Sequence, residues 1–295
     1  MGVSAGADHG ALGPFGPATD WAALWRDLVQ ARARCRDGGS ATEAGAQRGI
    51  DPWESRARDY DARVARRWAR PDPARAFVLA GIQDGATLLD IGAGTGAWAM
   101  LLAPRAARVT AVERSPAMLG ILRENLSARG MTNVRVVHGD WPDVTVEPHD
   151  YSLCAHAMYW SPDLPAFVGR MSSCTRRRCF LLLRNPGLDG IMAEAALHIR
   201  GHPIDSPNFS VAYNVLLQMG IRPGVVAESG PMRELRQSPS LEDALQRMKR
   251  HFGICDTAEH DDYLDVLLRR RLDHRGGRWV WPPEGESALA YWDVE

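Results

Sequence analysis

The sequence lacks a surplus of either charge, any long apolar run and any regular pairing of cysteines. Its 295 residues carry 35 basic and 36 acidic side chains, and the formal net charge of −1 provides no long-range field to attract nucleic acid or an acidic membrane. No run reaches the roughly 18 apolar residues of a membrane span, and no signal-peptide pattern opens the chain. We therefore expect a cytoplasmic protein that binds neither membranes nor nucleic acid.

The five cysteines are odd in number, and none forms a CxxC pair or lies near a spaced histidine pair. This pattern argues against a disulfide framework and against a zinc site, so we expect no metal. Cys154 lies in an apolar run, where a free cysteine behaves as a small buried hydrophobe. Tryptophan, by contrast, is abundant, and its ten residues could line a pocket for an aromatic or apolar ligand.

The N-terminal third is predicted to be helical. We expect residues 1–49 to form a poorly ordered arm, an amphipathic helix over 20–36 and a linker, separate from a domain that spans 50–295. Asp51 and Pro52 have the order of an N-cap followed by a first-turn proline, which predicts a helix to about residue 69. The same start signal at residues 72–73 predicts another helix to about 81.

From residue 86 onward, short apolar runs alternate with helical segments. The predicted strands are 86–91, 107–112, 133–138, 150–155 and 178–183, and the helices between them are 96–104, 116–129 and 163–173. This repetition of β, α and β units indicates an α/β fold with a parallel sheet covered on both faces. Ligands of such sheets bind at the carboxyl ends of the strands.

Beyond residue 187 the pattern continues with helices and three further strands. The predicted helices are 187–200, 207–219, 240–252 and 258–271, and the predicted strands are 223–228, 278–281 and 287–293. Because 187–220 and 240–272 are too long for simple connections, we expect these two segments to roof the pocket as lids together with the N-terminal helices. On this expectation, loss of residues 1–49 damages activity more than folding.

The most informative motif is LLDIGAGTG at residues 88–96, a strand that runs into a glycine turn and then a helix. Its spacing also satisfies the dinucleotide pattern GxGxxA, and Glu113 follows at the end of the next strand, so the glycines leave a nicotinamide-dependent reductase open. Asp90 argues otherwise. A carboxylate just before the turn would repel a pyrophosphate but would hold an ammonium group.

With these residues the chain resembles the class I S-adenosylmethionine-dependent methyltransferases, whose first motif has the form DxGxGxG. The resemblance implies a Rossmann-like, doubly wound, mostly parallel seven-stranded sheet with an antiparallel C-terminal strand and a helical N-terminal cap. It also implies S-adenosylmethionine as cofactor and S-adenosylhomocysteine as product, and a monomer or homodimer.

The resemblance implies a role for each strand end. Asp90 and the glycine turn would hold the methionine part of the cofactor, Glu113 the ribose hydroxyls and Asp140 the adenine amino group, while Trp141 could pack on the adenine. The full set of expected cofactor residues is Asp90, Gly92, Ala93, Gly94, Gly96, Glu113, Arg114, Met118, Gly139, Asp140, Trp141 and His156. For Glu113 and Asp140, a helix-dipole or turn role stays open.

The acceptor is expected to lie after the fourth strand. Transfer from a sulfonium is an in-line displacement that needs no metal, and His156 is the candidate base, with Tyr159 as a second candidate catalytic residue. A histidine that ends a strand can also be purely structural. The candidate substrate contacts are Trp53, Tyr60, Tyr159, Trp160, His202 and Asn208.

No NPPY-type or PCQ-type motif of base methyltransferases follows the fourth strand, and the two short arginine clusters read as solvated surface. We therefore expect a small-molecule acceptor, methylated at oxygen, nitrogen, sulfur or carbon. Two alternatives stay open: a nicotinamide-dependent reductase with the same glycine turn, and a non-catalytic protein that binds S-adenosylmethionine as a regulator.

Overall fold

The computed structural model describes residues 19–34, 51, 53–187, 190–227, 236–283 and 286–294, so the predicted N-terminal arm and the linker before residue 51 lie outside the described residues. The strands are β1 (Thr87–Ile91), β2 (Arg108–Glu113), β3 (Val134–His138), β4 (His149–Ala155), β5 (Thr175–Asn185), β6 (Gly224–Ala227), β7 (Gln237–Ser238), β8 (Asp273–Arg275), β9 (Arg278–Val280) and β10 (Glu286–Asp293). The helices are α1 (Trp21–Arg34), α2 (Ala57–Trp68), α3 (Pro73–Gly81), α4 (Ala97–Leu102), α5 (Pro116–Ala128), α6 (Leu164–Ser173), α7 (Ile191–Arg200), α8 (Phe209–Gln218), α9 (Leu241–Phe252) and α10 (Asp261–Arg271).

Seven strands form one sheet in the order β3-β2-β1-β4-β5-β10-β6. Neighbours from β3 to β5 pair in parallel, whereas β10 runs antiparallel to both β5 and β6. This arrangement confirms the predicted fold class. The chain order reverses between β1 and β4, so the crevice at the carboxyl ends of these two strands is where a doubly wound sheet binds its ligand.

Apolar side chains cover both faces of this sheet. Along β1, Leu88 packs with α3, α4 and α5, while the next residue, Leu89, packs on the opposite face with α6 and α8. Successive side chains of a strand point to opposite faces, and both faces are buried, which explains the continuous apolar runs in the sequence. Helix starts follow the predicted capping: Asp72 and Ser115 accept hydrogen bonds from the backbone N–H groups of Arg75 and Met118.

The start of α2 corrects a sequence prediction. The helix begins at Ala57 rather than directly after Asp51, and residues 53–56 form turns. The Asp51 carboxylate accepts a hydrogen bond from the backbone N–H of Trp53 (2.9 Å) within that turn, and others from Ser115 Oγ (2.6 Å) and the backbone N–H of Ala117 (3.0 Å). Asp51 therefore caps the turn before α2 and also holds the start of the distant helix α5.

The C-terminal strands also differ from the sequence prediction. Of the last two predicted strands, only β10 joins the main sheet, whereas β9 pairs with β7 and β8 in a separate three-stranded sheet. The strands β7 and β8 are two and three residues long and were not predicted, because such short strands carry too few residues to show an alternation of apolar and polar side chains.

The cysteines partly correct the expectation from their spacing. Cys154, Cys174 and Cys179 are free and buried, and burial raises the pKa of the Cys154 thiol far above its ordinary value. Cys255 is disulfide-bonded, which the absence of CxxC pairs in the sequence did not predict. Among the described residues, no helix combines the length and apolar character needed to cross a membrane.

Helix α1 is part of the core. Trp25 is fully buried, its indole N–H donates to the carbonyl of Ser161 (2.8 Å), and Leu28 and Val29 are buried beside it. The helix packs against α6, α8 and α9. This placement argues against the expectation that residues 1–49 serve activity more than folding, because removing them would open the core.

We therefore expect Trp25→Ala to lower the free energy of unfolding by about 3 to 5 kcal/mol, through lost burial and the cavity left behind. Urea unfolding of the purified variant measures this loss. The matched control is Leu197→Ala, because Leu197 is exposed, and this variant is expected to unfold at the urea concentration of the natural protein. Equal stability of the Trp25 variant would show that α1 is peripheral.

Candidate functional site

Two connected cavities lie at the carboxyl ends of the parallel strands. The large cavity encloses about 270 Å³ and the small cavity about 70 Å³. Four residues line both of them: Tyr60, Gly92, Ala155 and His156. The two cavities therefore meet beside the first glycine of the turn and the end of β4, where the order of the strands reverses.

The turn after β1 can be built only with glycine at two of its positions. Gly92 and Gly96 have φ angles of +71° and +93°, which other residues rarely adopt. A Cβ atom on Gly92 would lie 2.1 Å from Ala157 Cβ, and one on Gly96 would lie 2.1 Å from Leu122 Cδ1. These contacts let the turn approach β4 and α5 closely, and leave backbone at the cavity wall.

Glu113 joins the ends of β1 and β2. Its carboxylate accepts hydrogen bonds from the backbone N–H of Gly94 (2.8 Å) and of Ser115 (2.8 Å), and the residue lines the large cavity. Burial raises the pKa of Glu113, and the backbone hydrogen bonds oppose that shift. Glu113 therefore presents a fixed carboxylate, and its remaining lone pairs can receive ligand hydroxyls.

Asp90 is a buried carboxylate, and a backbone hydrogen bond from Ala99 compensates its burial only in part. The residue is 2 % exposed, lines the small cavity, and its Oδ2 atom has no hydrogen-bond partner. Burial, together with the nearby charge of Glu113, raises the pKa of Asp90 to about 7. A desolvated carboxylate of this kind is satisfied by a cationic ligand group. The amino-acid ammonium of S-adenosylmethionine fits this requirement.

The small cavity also contains groups of the opposite charge that the sequence analysis did not select. Arg67 of α2 and Arg75 of α3 line it together with Asp90. Arg75 donates to the backbone carbonyls of Trp68 and Arg70, whereas Arg67 lies seven residues beyond Tyr60 on the same helix face. This seven-residue spacing was the signal that could have identified Arg67. An acid and an arginine in one cavity match the two charges of an amino acid.

The rim of the large cavity is formed by Arg114, Asp140 and Trp160. The guanidinium of Arg114 lies 3.3 Å from the Asp140 carboxylate and 5.9 Å from the centre of the Trp160 ring. Asp140 is exposed, and Trp160 retains 38 % of its surface. These three side chains bring the ends of β2 and β3 and the turn after β4 together at the mouth of the cavity.

Trp141, Met118 and Gly139 form part of the wall of the large cavity. Trp141 is buried, and its indole N–H donates to the carbonyl of Phe167 (3.1 Å), so the ring is fixed in the core while also facing the cavity. A Cβ on Gly139 would lie 2.7 Å from Val144 Cγ2, which explains the small residue there. Of the expected cofactor residues, Ala93 lines only the small cavity, and Gly96 lines neither.

Trp53 and Tyr60, which precede β1 in the chain, also line the large cavity. Their rings meet edge to face with centroids 5.2 Å apart. The segment from residue 53 through α2 therefore contributes aromatic side chains to both cavities, as the abundance of tryptophan suggested.

His156 lies where the two cavities meet. It is the only described residue other than glycine with a positive φ angle, +57°. Its Nδ1 lies 3.2 Å from the Tyr159 hydroxyl, and its Nε2 lies 3.4 Å from Ser287 Oγ. A strained backbone conformation held by surrounding contacts is typical of functional positions.

Three sequence-predicted substrate contacts lie elsewhere. Tyr159 lines neither cavity; its hydroxyl accepts a hydrogen bond from the backbone N–H of Arg184 (2.6 Å), and burial raises its pKa to about 12. Asn208 is buried and caps α8 through the N–H of Val211, while His202 accepts from the N–H of Ile204 within its own turn. Both side chains are polar, which is typical of ligand contacts, but in the structure they satisfy nearby backbone N–H groups.

The two long C-terminal segments are also absent from the walls. No described residue of 187–220 or 240–272 lines either cavity. Their helices α7, α9 and α10 form a separate apolar cluster, and α8 packs on the sheet. The helices α7, α9 and α10 therefore have a core of their own, and the residues that line the site come from 53–75, the strand ends and the turns and helices that follow them.

Comparison with known proteins agrees with this geometry. The sequence model of a methyltransferase-domain family matches residues 88–178, from β1 into β5. A ribosomal RNA small subunit methyltransferase A of Rubrobacter xylanophilus is 31% identical over 179 residues, 59% of this chain and 63% of that protein. A protein-L-isoaspartate O-methyltransferase of Methanoculleus marisnigri is 49% identical over 53 residues, 18% of this chain and 24% of that protein. The chain thus spans less than two thirds of either relative.

Solved structures share the fold. A chain of the solved complex that contains the Haloferax volcanii Trm112 methyltransferase activator superposes with a TM-score of 0.52 at 14% identity, covering 83% of this chain and 96% of that one. The family match includes the glycine-turn motif and the strands from β1 to the start of β5. Residues 88–178 of the chain therefore match a methyltransferase domain, and the fold is the one that the solved chain shares.

Proposed function

We propose that this protein transfers the methyl group of S-adenosylmethionine to a small-molecule acceptor. The observation that carries the proposal is Asp90, a buried carboxylate with an unpartnered oxygen in a cavity that also contains Arg67. That pair of charges fits the amino-acid end of the cofactor, and the neighbouring large cavity has room for a nucleoside. The bound cofactor supplies an electrophilic methyl group on a sulfonium.

The two cavities divide the cofactor between them in this proposal. Asp90 binds the ammonium group and Arg67 the carboxylate in the small cavity. In the large cavity, Glu113 accepts from the ribose hydroxyls and Asp140 from the adenine amino group, and the adenine packs between Trp141 and Met118. All these residues line the cavities to which they are assigned.

His156 is proposed as the base that removes a proton from the acceptor. It lies at the junction of the cavities, where the amino-acid and nucleoside ends of the cofactor meet in this assignment. Its ring nitrogens face the hydroxyls of Tyr159 and Ser287. Because a hydroxyl both donates and accepts, both contacts persist when the ring takes up a proton. Nε2 has the longer contact and is the nitrogen assigned to the acceptor.

The enclosure of His156 supports a small acceptor rather than a macromolecule. Tyr60 of α2 and the backbone of the glycine turn flank His156, and Trp53 adds to the wall of the large cavity. A reductase is disfavoured because Asp90 and Glu113 would face the pyrophosphate of a nicotinamide nucleotide. We assign the closing role to residues 53–68, within a methyltransferase unit that also includes α1.

Two measurements test the proposed function. Calorimetric titration with S-adenosylmethionine and with NADH should show binding of the first alone; binding of NADH alone would favour the reductase. Incubation of the protein with methyl-labelled S-adenosylmethionine and a fractionated cell extract should then label a low-molecular-weight compound. Label in RNA or protein would contradict the proposal of a small-molecule acceptor. Cofactor binding without any labelled product would favour a non-catalytic regulator that binds S-adenosylmethionine.

A first prediction concerns Glu113. Replacing it with alanine removes the carboxylate assigned to the ribose and releases the N–H groups of Gly94 and Ser115. We expect S-adenosylmethionine to bind about tenfold to more than a hundredfold more weakly, since hydrogen bonds to a charged group contribute about 1.5 to 3 kcal/mol. Calorimetry measures the change. Glu113→Gln, which keeps an acceptor oxygen, should lose less, and an unchanged Kd in folded Glu113→Ala would remove Glu113 from the site.

A further inference from the structure

A buried charged cluster lies behind His156, outside the walls of both cavities. Asp205 is 2 % exposed, and its carboxylate lies 2.9 and 3.1 Å from Arg184 Nη2. His251 Nε2 donates to the same carboxylate (2.8 Å), and Ser206 Oγ contacts Arg184 Nη2. The cluster therefore joins β5, the loop before α8 and α9 through one carboxylate.

The electrostatics of this cluster keep Asp205 charged. Burial alone would raise the pKa of Asp205, but the hydrogen bond from His251 and the charge of Arg184 hold it far below its usual range. Burial lowers the pKa of His251, and the positive charges of Arg184 and Arg32 lower it further. The hydrogen bond to Asp205 and the charge of that carboxylate raise it, but the net pKa stays below its ordinary value. At neutral pH the cluster thus contains a charged Asp205–Arg184 pair with a neutral histidine as a further donor.

Arg184 connects this cluster to both sides of the His156 ring. Its backbone N–H donates to the Tyr159 hydroxyl (2.6 Å), which contacts Nδ1. Its partner across the β5–β10 pair is Ser287, whose hydroxyl contacts Nε2. The backbone N–H of His156 also donates to Leu182, two residues before Arg184 in β5. The position of Arg184 therefore affects both hydroxyls that face the ring.

We propose that Asp205 is a positioning residue for His156: by clamping the Arg184 side chain, it fixes the Tyr159 and Ser287 hydroxyls and thereby the orientation and tautomer of the imidazole. The inference rests on the proposed function only for the role of His156 as a base. Asp205 lies in the loop between His202 and Asn208, the two residues that the sequence predicted as substrate contacts, and it reaches the site through Arg184.

The physical reason is the geometry of the clamp. A carboxylate that accepts two hydrogen bonds from one guanidinium nitrogen restricts the side chain of a residue at the end of a strand, where backbone pairing alone restricts it less. Without this restriction, the backbone N–H of Arg184 and the hydroxyl of Ser287, which pairs with Arg184 across the strands, would both become more mobile. The ring nitrogens would then exchange partners, and the two neutral tautomers would become more equally populated.

Nitrogen-15 NMR of the histidine side chains tests the proposal directly in the full chain, with His156 assigned by its absence in His156→Gln. In the natural protein one tautomer of His156 should dominate, and its two ring-nitrogen signals should be well separated. Tyr159→Phe and Asp205→Asn should each move these signals toward a common averaged position. Arg184→Lys, which retains the charge but not the planar guanidinium group, provides a second variant of the clamp should Asp205→Asn not fold.

The matched control is Asp261→Asn. Asp261 forms an ion pair with the buried Lys249 (2.7 Å) in the same C-terminal helical region, away from β5. This variant should leave the His156 signals unchanged. If folded Asp205→Asn or Arg184→Lys leaves them unchanged while Tyr159→Phe moves them, the coupling stops at Tyr159 and the proposal fails. It also fails if Asp261→Asn moves them equally, because the effect would then be general loosening.

Turnover provides an independent readout once an acceptor is known. Asp205→Asn should lower kcat by up to about a hundredfold while leaving KM and the Kd of S-adenosylmethionine close to those of the natural protein, because misplacement of a catalytic group affects alignment rather than binding. A change confined to KM would contradict positioning. Failure of the proposed function would appear separately, as absence of S-adenosylmethionine binding to the natural protein, and would leave the NMR result intact.

Discussion

The Asp90→Asn variant is expected to be more stable than the natural protein at pH 8 and, at the same time, to lose affinity for S-adenosylmethionine. Asparagine has nearly the shape of aspartate but carries no charge to desolvate. In the natural protein the burial of Asp90 raises its pKa from 3.8 to about 7, which corresponds to an upper limit of about 4 kcal/mol of destabilisation when the carboxylate ionises in the free protein.

The sign of the pH dependence follows from this raised pKa. Between about pH 4 and pH 7 the folded state binds a proton at Asp90 that the unfolded chain has released, so the contribution of Asp90 to stability is present at low pH and is lost as the pH rises through 7. Asp90→Asn removes this dependence. Urea unfolding at pH 4.5 and pH 8 should therefore show little difference between the two proteins at the lower pH and the full stabilisation at the higher one.

Asp90→Asn should bind S-adenosylmethionine more weakly than the natural protein, although it is expected to be more stable. Removing one partner of a buried ion pair costs about 3 to 5 kcal/mol, so the variant should bind S-adenosylmethionine at least about a hundredfold more weakly at pH 8. In the natural protein, affinity should fall by up to about tenfold for each pH unit below 7, because the ammonium requires the ionised carboxylate. Calorimetry over pH 5.5 to 8 measures both effects. Unchanged affinity in the variant would assign the ammonium to another group.

His156→Ala is expected to lower turnover by about a hundredfold to ten-thousandfold while leaving the Kd of S-adenosylmethionine nearly unchanged. The reason is that the contacts with the cofactor are assigned to Asp90, Glu113 and Asp140, whereas the imidazole is assigned to the acceptor at the junction of the cavities. The acid limb of the rate–pH profile should disappear with the imidazole. Single-turnover assays with the labelled acceptor measure the rate, and calorimetry measures the affinity.

The control for this variant is Ser287→Ala. Ser287 is buried and contacts His156 Nε2 at 3.4 Å, so its loss should alter the orientation of the ring without removing the base. Its effect on turnover should be smaller than that of His156→Ala. Should His156→Ala retain full turnover, the acceptor must already be nucleophilic, as a thiolate is. His156 would then only line the cavity. Loss of cofactor affinity would place it on the cofactor side.

Much of the fold could be predicted because its signals are local. Continuous apolar runs, cap residues such as Asp72 and Ser115, and the glycines of the β1 turn each reflect constraints within a few neighbouring residues. The ends of the strands in the main sheet and of most helices were therefore found within a few residues. The three acids at the ends of β1, β2 and β3 follow from the same pattern, since parallel strands bring their carboxyl ends to one edge.

What the sequence could not determine are contacts between distant residues. Asp51 caps its own turn as expected but also binds the start of the distant helix α5, and Trp25, on a helix predicted to serve as a lid, is buried in the core. Asn208 and His202 look like ligand contacts and instead satisfy their own turns. In each case the residue type indicated the kind of contact that the side chain makes but not the group with which it makes it. A side chain has the same local preferences whichever distant group it meets.

The sequence by itself determined the class of this protein: the order of its strands and helices, the glycine turn and the acid at the end of each of the first three strands. Only the tertiary structure decided that one oxygen of Asp90 lies unpartnered in a cavity with Arg67, and that Arg184 lies behind the Tyr159 and Ser287 hydroxyls that contact His156. Periodicity and capping act over one or two turns of chain and can be found in a single sequence. Burial, desolvation and the clamp formed by Asp205 arise from residues far apart in the chain, and exist only once the sheet and its helices have packed.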